Sequence, residues 1–342
     1  MKKMKKIISL SMVAAMALSM TACGNSTSGS ASSTEAKASS DAYHIGICQL
    51  LEHPALDAAT KGFKEALEKE LGKDKVVFDT QNAQGEQANC STIINGFVSN
   101  KVDLIMANAT PALQAASAAT NTIPIVGTSV TDYATALNID KWSGATGTNV
   151  TGTSDLAPLD QQAAMLKELI PNVKQVAIVY CSAEANSVYQ ANKIEGYLDK
   201  DNIKWKEYTA ADSNEIQSVI TKAVAECNAV YIPTDNTMAA NTEIIKNVTV
   251  PAGVPVIAGE EGICKGGLAT LSINYYDIGY SAGKMAAEIL TKGTKPGSMD
   301  IQFAPKTTKE YNAQIAKSLN WKIPDGYKAI YTGEDALSTE KK

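Results

Sequence analysis

Ile45-Gly46-Ile47-Cys48-Gln49-Leu50-Leu51-Glu52-His53-Pro54-Ala55-Leu56-Asp57 decides the fold. The apolar run ending at Gln49 predicts a short buried strand, and the polar turn after it leads into a helix. Pro54 suits a first helical position, where its missing N–H costs nothing, and Gly72 closes the helix after Leu71. A second stretch, Val176-Ala177-Ile178-Val179-Tyr180-Cys181-Ser182-Ala183-Glu184-Ala185-Asn186-Ser187, reads the same way: strand, polar loop, helix. The two loops are expected to face each other across a ligand.

Outward from these stretches, strands alternate with helices. The first series predicts strands at 75–78, 102–107 and 123–127 and helices at 86–97 and 112–120. A looser passage from Tyr133 to Asp155 follows. The second series predicts helices at 159–169, 187–198, 214–225 (capped by Ser213) and 237–248, with strands at 203–208, 229–233 and 254–257. Such alternation implies parallel sheets with right-handed crossovers. Corresponding strands start at Ile45 and Ala177, Val102 and Ala229, and Ile123 and Val254, separated by 127 to 132 residues. Two similar doubly wound α/β lobes in tandem explain this order better than the alternative, one continuous domain. The remainder (strand 268–273, helix 276–290, strand 301–303, helix 310–319, strand 327–331) is too short for a third lobe. Residues 42–154 plus 275–305 are therefore expected to form lobe 1, and 155–274 plus 306–332 lobe 2, with 333–342 a tail. Three crossings near 152–158, 274–277 and 304–308 make a hinge that bends while the lobes stay rigid.

Composition narrows the chemistry. Of 342 residues 44% are hydrophobic and 20% charged, ordinary for a globular protein. The net charge of −5 argues against nucleic acid as a partner. All 31 basic residues are lysine. Without arginine there is no bidentate clamp for carboxylate or phosphate, so anionic groups fall to backbone N–H groups, hydroxyls, amides or lysine. The two histidines, His44 and His53, belong to no spaced His/Cys cluster, so no metal and no cofactor is expected. Cys48, Cys181 and Cys227 sit in or beside apolar runs and read as small buried hydrophobes.

The N-terminus reads as a targeting segment. Lys2, Lys3, Lys5 and Lys6 precede an apolar stretch, Ile7 to Met20, that is short for a membrane span. It ends at Thr21-Ala22-Cys23-Gly24, which resembles the lipobox of bacterial lipoproteins. That resemblance implies a signal peptide over residues 1–22, cleavage before Cys23 and lipidation of its sulfur. The alternative is an ordinary secretory signal. Residues 23–41, rich in Ser, Thr, Ala and Gly, would then be a flexible tether holding the protein outside the cell membrane.

Ligands of parallel α/β sheets bind beyond the carboxyl ends of the strands, where helix N-termini present free N–H groups. The loops there carry Gln49, His53, Thr110, Ser129, Asn186, Ser187, Asp235, Asn236, Thr237 and Glu260. Helix N-termini with the Thr110, Ser187 and Thr237 hydroxyls suit a carboxylate. Asp235 suits an ammonium group. Each has a plainer reading: Asp155, Asp235 or Thr110 as helix caps, His53 as a solvated turn residue, Ser129–Asp132 as a turn. Tyr275, Tyr276 and Trp142 suit hinge packing.

From Tyr43 to about Tyr331 the chain resembles the ABC-transporter substrate-binding lipoproteins of the tryptophan/tyrosine-type family, of periplasmic-binding-protein type I fold. The resemblance is carried by Gln49…Glu52-His53-Pro54-Ala55-Leu56-Asp57, Ala109-Thr110-Pro111-Ala112, Val130-Thr131-Asp132 and Asn149-Val150-Thr151-Gly152-Thr153-Ser154-Asp155. It continues in Tyr231-Ile232-Pro233-Thr234-Asp235-Asn236-Thr237 and Gly266-Gly267-Leu268-Ala269-Thr270. It adds Asp132, Asp155 and Asn274 to the ligand-binding candidates. Tyr133 stands where the family commonly has proline, and Asn274 where aspartate is common. The resemblance implies an importer's binding protein, with permease and ATPase partners, that captures a zwitterionic amino acid, aromatic or large and apolar, by closure of the lobes. A sensor subunit and a sugar or nucleoside binder are the alternatives. An enzyme is disfavoured, since no G-x-S-x-G, H-E-x-x-H or Walker loop occurs and histidine is scarce.

Cys23→Ser is expected to leave an unlipidated, unprocessed precursor. The check is incorporation of labelled fatty acid, and a wild-type protein that takes up none refutes the lipobox reading.

Overall fold

The computed structural model describes residues 42–333. The expected signal peptide, lipidated Cys23 and tether, and the tail beyond Gly333, lie outside the described residues. The chain begins with β1 (Tyr43–Gln49), α1 (Pro54–Leu71), β2 (Val76–Asn82), α2 (Gln87–Ser99), β3 (Leu104–Asn108), α3 (Thr110–Ala119), β4 (Ile125–Val130), α4 (Tyr133–Ala136) and β5 (Val150–Ser154). There follow α5 (Leu159–Leu169), β6 (Gln175–Cys181), α6 (Ala185–Lys200), β7 (Lys204–Ala210), α7 (Ile216–Glu226), β8 (Ala229–Ile232), α8 (Asn236–Ala239), α9 (Thr242–Thr249), β9 (Val256–Ala258) and β10 (Ala269–Ser272). It ends with α10 (Tyr275–Lys292), β11 (Gln302–Phe303), β12 (Thr308–Asn312), α11 (Ala313–Ser318) and β13 (Lys328–Ile330).

Two sheets result. The first has the order β11-β5-β4-β3-β1-β2 and is parallel throughout. The second has the order β13-β12-β10-β9-β8-β6-β7, parallel except where β12 runs antiparallel to β10. Side chains alternate across each strand, so both faces must be covered. Ile45 and Ile47 of β1 pack with Phe63 and Leu67 of α1 and Ala282 and Ala286 of α10. Cys48, on the opposite face, packs with Ile94 and Phe97 of α2 and Leu113 of α3. In the second sheet, Val176 and Ile178 join Leu166 of α5 and Ile194 of α6. Ala177 and Val179 turn to Ile216 and Ile220 of α7. Each fully buried Val, Leu, Ile or Phe among these contributes about 1.5–3 kcal/mol. All five cysteines in the described residues are buried and unpaired. β2 and β7 are open edges.

Local signals account for most boundaries. α1 starts at Pro54 and stops at Gly72, whose φ of 95° few other residues tolerate. The differences are instructive. The helix expected over 310–319 is a strand for its first part: β12 extends the second sheet, and Asn312 caps the short α11 by accepting from the Gln314 and Ile315 N–H groups. The helix expected over 237–248 is broken into α8 and α9 around Asn241. Asp212, not Ser213, caps the turn leading into α7. The loose passage contains α4 and β5, which lies between β4 and β11.

The chain leaves the first sheet after β5, builds β6 to β10 in the second, and returns as α10, which lies along α1. That contact is backbone to backbone. A Cβ added at Gly279 would sit 2.0 Å from the Ala59 carbonyl oxygen, and one at Gly62 2.3 Å from that of Tyr276. Only glycine permits this approach. Gly279→Ala is therefore expected to destabilise the protein by ~2 kcal/mol or more, through forced separation of the two helices. A melting-temperature loss of several degrees is the readout, and an unchanged melting curve contradicts the contact.

Candidate functional site

The carboxyl ends of β1, β3 and β4 face those of β6, β8 and β9, and direct contacts cross between the lobes. His53 Nε2 lies 3.2 Å from Asn236 Oδ1. The Tyr189 phenol of α6 lies near the Asp132 carboxylate before α4, whose charge adds to burial in raising the phenol's pKa. Between these contacts lie most of the residues read from the sequence, nearly all buried.

Four buried polar atoms there have no protein partner: His53 Nδ1, Thr110 Oγ1, Ser129 Oγ and Asn186 Oδ1. Buried polar groups are rarely left unpaired, because each costs about 1–3 kcal/mol. These four stand at the carboxyl ends of β1, β3, β4 and β6: His53 just before α1, Thr110 and Asn186 in the first turns of α3 and α6, and Ser129 near the end of β4. Backbone strain coincides with two of them. Ser129 has a φ of 54°, and Ala109, next to Thr110, a φ of 93°. Non-glycine residues in this region cost about 1–3 kcal/mol and cluster at functional sites.

Asp155, at the first crossing, accepts from Thr131 Oγ1 and from the Tyr275 hydroxyl, each at 3.0 Å. Burial pushes its pKa up to about 6, against those two hydrogen bonds. Burial, reinforced by the nearby Glu184 charge, raises Asp235 to about 8. Burial raises Glu260 to about 7. Lys306 and Lys328 line one cavity with Glu260, and neither Asp155 nor Asp235 belongs to its lining.

Several expected ligand contacts are instead engaged by their own lobe. Gln49 donates to the Leu51 carbonyl and Asp57 and accepts from Thr60, tying β1 to α1. Asp132 caps α4. Asp235 accepts from the Cys181 and Met238 N–H groups, which is the helix-cap reading of this residue. Ser187 donates weakly to the Thr234 carbonyl, and Glu260 accepts from the Gly262 and Ile263 N–H groups. Asn274 is exposed and caps α10. Tyr133 is buried against Gly127 and Gly152 and donates to the Thr153 carbonyl, inside the first lobe. Neither family departure, Tyr133 or Asn274, joins the unpartnered set.

One central residue escaped the sequence reading. Glu184 accepts from the Asn236 N–H and Nδ2, the Thr237 N–H and Oγ1, and Asn186 Nδ2. It serves as a cap for α8, about fifty positions away, so no local spacing signals it. Asn186 Nδ2 also donates to the Thr234 carbonyl, which fixes its amide and leaves Oδ1 as the bare end.

A two-lobed fold with buried polar side chains gathered between the lobes is the architecture of a solute-binding protein, and comparison with known proteins agrees. The chain belongs to the ABC transporter substrate-binding protein family, whose model it matches over residues 44–329. It is 36% identical to a tyrosine-binding protein of Clostridioides difficile, over 99% of this chain and all of that one. A Streptococcus pneumoniae ABC domain in complex with L-Trp is 32% identical with a TM-score of 0.80, covering 84% of this chain and 100% of that one. A ligand-free, open substrate-binding protein of Clostridium difficile is 37% identical with a TM-score of 0.65, over 84% and 99%. The present lobe arrangement is thus closer to the ligand-bound relative than to the open one, despite the lower identity.

The raised carboxyls make a pH prediction. Their folded pKa values exceed the unfolded ones, so between about pH 4 and 8 the folded state binds more protons, and stability falls as pH rises. His53, held below its ordinary pKa by burial, acts oppositely but mainly below pH 6.5. Ligand-free protein is therefore expected to melt a few degrees lower at pH 8 than at pH 6.5. A flat or rising profile contradicts burial of Asp235 and Glu260.

Proposed function

We propose that the protein is the extracytoplasmic, lipid-anchored binding component of an ABC importer, and that it captures an aromatic amino acid as its zwitterion. The observation that carries this reading is the unpartnered set together with Asp155, a buried carboxyl held only by two hydroxyls. A zwitterion supplies what both lack. Its carboxylate meets the Thr110 and Ser129 hydroxyls beside the N-terminus of α3, where the helix dipole favours an anion. Its ammonium meets Asp155, with Asn186 Oδ1 as a second acceptor. Charged hydrogen bonds of this kind contribute about 1.5–3 kcal/mol each, and three of them approach a micromolar affinity.

The names of the tyrosine-binding and L-Trp-bound relatives support an aromatic side chain. A sugar fits less well. Sugar sites stack rings on tryptophan, whereas Trp142 is 42% exposed, Trp205 donates to Asp199 and Trp321 to the Leu169 carbonyl. None of the three belongs to the unpartnered set. In this reading ligand joins the lobes, the closed form is selected, and the permease, driven by its ATPase, takes delivery from it. Lipidation at Cys23 keeps the protein at the membrane. A receptor that signals instead of delivering would use the same cleft.

The test is a melting screen of refolded, ligand-free protein with the twenty amino acids, common sugars and nucleosides. At a hundred times its dissociation constant a true ligand adds about 2.7 kcal/mol, a shift of several degrees. A shift with a sugar or nucleoside, and none with tyrosine, tryptophan or phenylalanine, overturns the ligand class. Asp155→Asn is expected to weaken amino-acid binding about tenfold to a hundredfold while the protein still folds. Unchanged affinity would assign Asp155 to the hinge alone.

A further inference from the structure

Glu184 fixes the polarity of the contact that joins the lobes. Both Glu184 oxygens accept, one from the Asn236 and one from the Thr237 backbone N–H, so the Asn236 side chain presents its nitrogen to Glu184, at 2.7 Å. Asn236 Oδ1 is then the atom turned to His53. It has no proton to give, so His53 Nε2, 3.2 Å away, is the donor. Burial holds the His53 pKa below its ordinary value, so the ring is neutral at pH 7. A neutral imidazole with its proton on Nε2 has a bare lone pair on Nδ1. That Nδ1 is buried without a partner, on a side chain only 7% exposed. It is an acceptor that nothing in the protein uses.

Its place in the sheet suggests what it meets. His53 follows β1, whereas Ser129 lies at the end of β4, and β3 runs between them. Two strand spacings set a sideways offset of about 10 Å between the ends of β4 and β1, and His53 stands four residues beyond the end of β1. An offset of this order is comparable with the reach from a carboxylate held near Ser129, hydrogen bonds included, to the ring tip of an aromatic amino acid. The charged ends of the zwitterion are occupied by Thr110, Ser129, Asp155 and Asn186.

We propose that His53 Nδ1 accepts a hydrogen bond from the polar tip of the ligand's ring, a phenol O–H or an indole N–H, and so makes the cleft prefer tyrosine or tryptophan over phenylalanine. This rests on the aromatic amino-acid reading above. A site built around a hydrogen bond rejects the analogue that lacks the donor, because the buried acceptor is then stranded. The expected discrimination is about tenfold to a hundredfold.

The test measures the affinities of L-tyrosine, L-tryptophan and L-phenylalanine for the wild type and for His53→Leu. The variant also loses the contact to Asn236, but that loss falls on all three ligands alike, so the ratio is the quantity to read. The tyrosine-to-phenylalanine ratio is expected to be tenfold or more in the wild type and to collapse to within about threefold in His53→Leu. A wild type that binds phenylalanine as tightly as tyrosine and tryptophan, or a ratio unchanged in the variant, overturns the proposal and leaves the amino-acid reading intact. Binding of none of the three overturns that reading and this proposal with it. A second measurement needs no variant. The chain has only two histidines, and His44 is exposed, so long-range proton–nitrogen correlation spectra resolve His53 directly. The expected state is protonated at Nε2 and bare at Nδ1, with the Nδ1 resonance moving on addition of tyrosine or tryptophan and not of phenylalanine. A proton on Nδ1, or the same movement with all three, refutes it.

Discussion

The close approach of α1 to α10 constrains everything the cleft can do. α10 begins immediately after the chain leaves the second sheet, and it is clamped to the first lobe through Gly62 and Gly279. Both ends of the site inherit that clamp. His53 stands at the start of α1 and Tyr275, which holds Asp155, at the start of α10. A loose helix pair would let the interlobe contact and the buried carboxyl drift apart. Rigid-body closure about a hinge requires bodies that are rigid, and this pair joins the moving chain to one of them.

Charge supplies the second constraint. The cleft gathers Asp155, Glu184, Asp235 and Glu260 at low exposure in a chain without arginine. Backbone N–H groups and amides stabilise three of them: Asp235 and Glu260 at helical turns, Glu184 at α8. Asp155 has only two hydroxyls. A positive group entering beside it gains the attraction without displacing an existing partner. Desolvation that would otherwise push the carboxyl toward its neutral form then becomes useful, because it strengthens the attraction for any cation that enters.

The sequence disclosed what is local and concealed what is not. α1 could be bounded to the residue because Pro54 and Gly72 act through their own backbone geometry. The tandem series of strands was legible because apolar runs bounded by polar turns need no partner to be seen. β12 was misread because residues 308–312 carry mixed polarity, and only the free edge of β10 makes them a strand. Thr110, Ser129, His53 and Asn186 were reachable from the rule that ligands gather at strand ends. Their distinction from Gln49 or Asp235 was not, since it depends on which side chains find partners within the lobe. Glu184 was missed for the same reason: its five donors lie next to it in space and, apart from Asn186, far from it in the chain.

The unpaired cysteines carry a consequence for how this protein is made. A binding protein of an importer works where thiols are readily oxidised, and small exported domains often use that chemistry to staple themselves. Here Cys48, Cys90, Cys181, Cys227 and Cys264 are all shut inside the lobes. Their protection is the fold itself, since burial keeps oxidants and other thiols away from the sulfurs. Until the lobes close around them, each cysteine is a site for wrong cross-links. Biogenesis is therefore a race between burial and oxidation, and the first lobe is complete only once α10 and β11, at the far end of the chain, have joined it.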